Sequence, residues 1–359
     1  MGATLNYLVY VIIFFLFIFI PMGAYAADII IDKSMGYSNL VADPGSIGIS
    51  AYSSKTDVTV TGNVKANPGS ITMAANTGTI TLDVGGNITA GSFIEVFTDS
   101  GTATLNVDGN VAAGNFIEVF TDSGTATLNV DGNVAAGSFI EVYANTGTAT
   151  LDVSGNVEAG TDIWLFSLSG STTTFTADML DVRTDTTVAV LGLNANMHAD
   201  TIALIGDSTL RVTGNGYFGF DTFKVLGAGA KYEGNLKAAD KTITFNLNEV
   251  SFQDSKTNLK GSKGMLDVQA GTKGRSGRGD VDISYSTITF DGLVPDLNVG
   301  DQIALLSYSG RLTGFVYGEN ITYNKYIFEL TNASRTLIAT VMEIEENLSN
   351  SGSFGGDRA

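Results

Sequence analysis

Three glutamates, Glu95, Glu118 and Glu141, recur 23 residues apart, each set between two aromatic residues two positions away. The sets read Phe93, Glu95, Phe97; Phe116, Glu118, Phe120; and Phe139, Glu141, Tyr143. A fourth, altered to Asp162, Trp164, Phe166, carries the only tryptophan. If successive sets stack, the carboxylates come about 5 Å apart, near the separation used by retaining glycosidases. Acid–base work needs two carboxyls in different environments, one keeping its proton and one shedding it. A repeated set gives each glutamate nearly the same surroundings. The chain is accordingly read as a non-enzyme with no cofactor and no metal site, and the aromatic and acidic stripe as a surface for binding. A polysaccharide lyase or hydrolase on the same scaffold is the alternative reading of these carboxyls.

Two further patterns carry candidate chemistry. Arg278-Gly279-Asp280 lies in the Gly-rich, basic stretch "GTKGRSGRGD", where an exposed loop could present it to a receptor. Thr-x-Thr recurs at 79/81, 102/104, 125/127, 148/150 and 172/174. A flat array of such pairs resembles the surface of ice-binding proteins, which implies a second alternative, an ice-binding solenoid. Threonine is also simply a favoured polar strand residue.

The elements that position these residues follow from a literal duplication. "FIEVFTDSGTATLNVDGNVAAG" fills 93–114 and returns unchanged at 116–137, and an edited copy starts at Phe139. Gly-Asn recurs at 62–63, 86–87, 109–110, 132–133 and 155–156. A fixed period in the twenties built from strands and turn residues indicates a solenoid. Within a period, Ala103, Leu105 and Val107 share one parity, while Thr102, Thr104, Asn106 and Asp108 share the other. Ile94 and Val96 likewise alternate with Phe93, Glu95 and Phe97. Pointing Ile94 and Val96 inward keeps the carboxylate out of the core, where an unpaired charge is prohibitive. Facing water, stacked glutamates would repel by only about 1 kcal/mol per pair. Asp-Ser-Gly, Asn-Thr-Gly and Gly-Asn between the strands are turn formers.

The fold class predicted is all-β: a right-handed parallel β-helix of about 23 residues per coil with a C-terminal β cap. Each side chain then sits over its counterpart one coil away, so Leu105 stacks on Leu128 and Leu151, and Asn110 on Asn133 and Asn156. The expected organisation is a signal peptide over 1–26, repeats over 27–250, a Gly-rich basic loop or linker over 251–280, a closing segment over 281–345 and a disordered tail over 346–359. The signal peptide rests on the apolar run Leu8–Ile20 and the small-residue pattern Ala24-Tyr25-Ala26; residues 1–7 carry no Lys or Arg.

An export signal, a Cys-free acidic solenoid and Gly-Asn repeats together resemble the passenger region of Gram-negative autotransporters and filamentous-haemagglutinin-like adhesins. The segment "GDQIALLSYSGRLTGFVYGENITYNKYIFELTNASRTLIATV" (300–341) is similar to the stretch that closes many such passengers. The resemblance implies an exported, surface-displayed or secreted structural protein for attachment or aggregation. Its partners would be host-cell or neighbouring-cell surfaces, glycan or protein, with self-association possible.

Charge is uneven. Residues 66–182 contain no Lys or Arg against 13 Asp and Glu, whereas 224–278 hold 10 of the 19 basic residues. With a net charge of −18, nucleic acid is not an expected partner.

Overall fold

The computed structural model describes residues 28–345, apart from 169–170, 183–186, 193–194, 215–216, 249, 255, 271–277, 295 and 316. The expected signal peptide and tail lie outside the described residues. Among those described, every regular element is a strand.

Each repeat makes three strands separated by short turns. In one coil these are Ile94–Thr98, Thr102–Val107 and Val111–Ala113. Each pairs in parallel, residue for residue, with its copy one period later. The first strands form one sheet (face 1), and the second and third form faces 2 and 3 of another. This is the predicted parallel β-helix of about 23 residues per coil.

The inward parity is as expected. Leu82, Leu105, Leu128 and Leu151 stand in register and are fully buried, as are Ile71, Ile94, Ile117 and Ile140 on face 1. The core is thus a set of continuous apolar columns. Asparagines fill one corner by a specific bond. The backbone N–H of Asn87, Asn110, Asn133 and Asn156 each donates to the Oδ1 of the preceding asparagine at 2.8 Å. A residue with both donor and acceptor satisfies its own copy, so each of these backbone amides is paired from coil to coil.

Beyond residue 170 the copies diverge but the columns continue. The leucine column passes to Phe175, Met197 and Phe218, and Phe220, Phe223 and Tyr232 pack in the core at steep angles to one another. The stretch expected as a loop or linker, 251–280, contains strand Leu266–Gln269, which pairs in parallel with Ala230–Glu233 and with Gln302–Tyr308. Leu266–Gln269 is therefore a strand of the solenoid rather than part of a linker. The stack ends when Gln302–Tyr308 pairs antiparallel with Thr336–Ile344, followed by Tyr326–Ala333 and Asn320–Tyr323. These hairpins cover the last parallel edge of face 1, which would otherwise be a template for pairing.

Candidate functional site: a carboxylate column between two ring ladders

On face 1, Ile94, Val96 and Thr98 point inward, which places Phe93, Glu95 and Phe97 outside. Parallel pairing at zero offset then makes columns. Phe93, Phe116 and Phe139 stack with centroids 4.8 and 4.9 Å apart and planes within 4° of parallel. Phe97, Phe120 and Tyr143 do the same at 5.2 and 5.1 Å, and Phe166 extends that ladder at 5.4 Å. Trp164 is in register with Glu141, not with a phenylalanine. Its indole nevertheless leans over to stack on Phe139 at 6.2 Å and 21°.

The stripe read as a binding surface offers little ring face, because within each ladder the faces lie against the neighbouring ring. Trp164, 41% exposed at the end of its ladder, is the ladder ring most open to solvent. Nor are the glutamates solvated. The ladders wall in Glu95, Glu118 and Glu141 on both sides, and Glu118, the middle one, is only 7% exposed. Burial raises all three above the ordinary glutamate range, Glu141 to about 7. Glu118 goes well above it, with the charges of Glu141 and Glu95 adding to the effect. All three shifts have the same sign.

The cause is legible in the chain. No Lys or Arg occurs from 66 to 182, so no cation from the copied coils can stand beside the column. Its neighbours along the stack are Thr72 on one side and Trp164 on the other.

The other candidates fall elsewhere. The Arg-Gly-Asp tripeptide is built into the coil. Asn235 Oδ1 accepts the backbone N–H of both Arg278 and Asp280. The Asp280 carboxylate accepts the Arg311 N–H at 2.8 Å, and its own carbonyl accepts from Leu236. Gly279 has φ +71°, and a Cβ there would run into Ser309. Asp280 is thus held at its N–H, its carbonyl and one carboxylate oxygen. The Thr-x-Thr pairs, by contrast, come together as the spacing implies: two columns in register on face 2, from Thr79/Thr81 to Thr172/Thr174.

No family model matches this chain, and no curated protein or solved structure is significantly similar to it.

Proposed function

We propose that the chain is an exported structural protein, secreted or displayed on a bacterial surface, that mediates attachment or aggregation through the long sides of its solenoid. The reading is carried by the unbroken repetition of face 1. The same rings and carboxyls return in register on consecutive coils. A partner that binds one coil weakly meets the same group on the next, and linked weak contacts multiply into avidity without any single pocket. The resemblance to autotransporter and filamentous-haemagglutinin-like passengers supports the same class of function. It implies host-cell or neighbouring-cell surfaces as partners.

The test removes copies without breaking the fold. Deleting residues 91–136 excises two whole periods, joining Ala90 to Gly137 as it was joined to Gly91. Cells displaying the shortened protein should attach or autoaggregate less. Equal attachment, with the β-sheet circular dichroism signal retained, would sink the adhesive reading.

The registered threonine columns favour a second reading, an ice-binding face. Thr127→Lys places a long charged chain in the middle of the array and should abolish thermal hysteresis if ice is the ligand. Absence of hysteresis in the unmodified protein removes this reading.

A further inference from the structure

The column Glu95–Glu118–Glu141 poses a problem that the rest of the fold does not share. Three carboxyls stand one above another, walled by aromatic rings, with no basic residue between 66 and 182. A metal would be one way to hold them. Among the described residues, however, no group of three or more His, Cys, Asp and Glu has an arrangement that could bind one. A buried carboxyl with no cation beside it is neutralised by holding its proton.

We propose that this column is a proton-operated lock on the copied coils: its carboxyls hold protons while the coils are closed, and their ionisation as the pH rises loosens face 1. Geometry makes the trio act together. Glu118 lies in register with Glu95 and with Glu141, so ionising any one raises the cost for its neighbours, and protons leave in steps that belong to the trio. The groups facing the column reinforce the direction. The neighbouring face 1 strands supply Glu95, Glu141 and the Tyr143 phenol, with Asp162 in register beyond Phe139 and Asp99 and Asp122 at the turns. The strands across the core, Thr125–Val130 and Thr148–Ala159, turn their only charged residues, Asp152 and Glu158, away from the core. Every one of these is an acid. None is a cation that could favour the charged form.

The direction with pH follows. In the unfolded chain each glutamate ionises at its ordinary value; in the folded chain burial holds it protonated to higher pH, to about 7 for Glu141. Below the ordinary value both states are protonated and the fold bears no penalty. Between that value and about 7 the unfolded state sheds protons first, so stability falls as pH rises. The lock is shut on the acid side and opens on the alkaline side.

The sole tryptophan is placed to report it, since Trp164 occupies the next position of the same column. Denaturant unfolding of the mature chain would be followed by Trp164 fluorescence and circular dichroism at pH 5 and pH 8. It would be run beside a variant carrying Glu95→Gln, Glu118→Gln and Glu141→Gln, which keeps shape and hydrogen-bonding capacity but cannot ionise. The folded-to-unfolded ratio of the unmodified chain should drop at least about tenfold between the two pH values, the equivalent of one pKa unit. The variant should keep its acid-side value throughout. A third protein with Asp108→Asn and Asp131→Asn, which neutralises exposed corner acids, should retain the drop. Parallel curves for the first two proteins overturn the proposal, and so does loss of the drop in the corner variant. A glutamine variant weakened equally at both pH values would show a packing role alone and overturn it as well.

Discussion

Glu118 and Glu233 occupy the same outward column of the same sheet, on either side of Trp164, Ala189 and Arg211. Their circumstances are opposite. Glu118 has glutamates above and below; Glu233 has Arg211 directly alongside, donating to both carboxylate oxygens at 2.6 and 3.2 Å. The difference teaches what copying does to a parallel stack. A duplicated coil must satisfy each residue with itself. Phenylalanine can, by stacking on its copy; asparagine can, because its side chain accepts what its copy's backbone donates. Glutamate cannot, because two carboxylates only repel. In the diverged coils the restriction is lifted, and a complementary partner takes the neighbouring place.

The largest expected effect attacks copying where it succeeds. Gly78, Gly101, Gly124 and Gly147 stack at one turn, and a Cβ on Gly124 would collide with the Gly101 carbonyl oxygen. Gly124→Ala should cost about 3 kcal/mol or more, because the obstacle is backbone of the adjacent coil and cannot swing aside. Gly261 lies in the C-terminal part with φ +76° and nothing within 4 Å of its would-be Cβ. There the same change meets only backbone strain, about 1 kcal/mol. Urea midpoints of the two variants measure the contrast; equal losses would mean that the copied turns are not sterically coupled.

A smaller effect is expected from unpairing the diverged column. Arg211→Met removes both hydrogen bonds to Glu233, whose side chain is 15% exposed against 36% for Arg211. A partly exposed pair is partly screened, so the loss should be about 1–2 kcal/mol at pH 7. The same unfolding assay checks it, and a neutral outcome would mean that the pairing is not what distinguishes the two regions.

Smaller again is the reverse graft. Glu118→Arg brings the cation–carboxyl pairing of the diverged coils into the copied ones, here with a carboxyl on each side. Glu95 and Glu141 should then titrate below the ordinary glutamate range, as acids beside a cation do. Stability at pH 8 should rise by about 1 kcal/mol. Carboxyl resonances followed by NMR would show it; Glu95 and Glu141 titrating high despite the arginine would place the cause in burial alone.

How much of this was legible in the chain differs by column. The coil, the inward parity and the leucine and asparagine stacks follow from the 23-residue spacing, because zero-offset parallel pairing leaves no freedom once the period is known. The burial of Glu118 does not follow. Alternation tells inside from outside, but whether an outward carboxyl meets water depends on rings two positions away packing face to face, which is a property of neighbouring coils. Trp164 likewise occupies the register position of a glutamate while its indole joins a phenylalanine ladder. Strand Leu266–Gln269 was hidden because it follows its partner by 36 residues, outside the period that revealed the others. Asp280 read as a free loop residue because nothing in three letters shows Asn235 and Arg311 closing on it.

The finest distinction lies between two copies of one residue. Thr98 and Thr121 are in register in a buried column, between Ala75 and Ala144, and both are fully buried. The Thr121 hydroxyl accepts the Gly124 N–H at 2.9 Å; the Thr98 hydroxyl has no partner. A buried hydroxyl without a bond keeps its desolvation cost and returns nothing, so replacing it by a methyl of the same shape should help. Thr98→Val should therefore stabilise by about 0.5–1 kcal/mol, and Thr121→Val, which strands an amide hydrogen at the turn, should cost about as much. Opposite signs at sites that share their sequence context, resolved by urea midpoints, would show that copied sequence does not guarantee copied energetics. Equal signs would mean that the turn at Gly124 does not depend on the Thr121 hydroxyl.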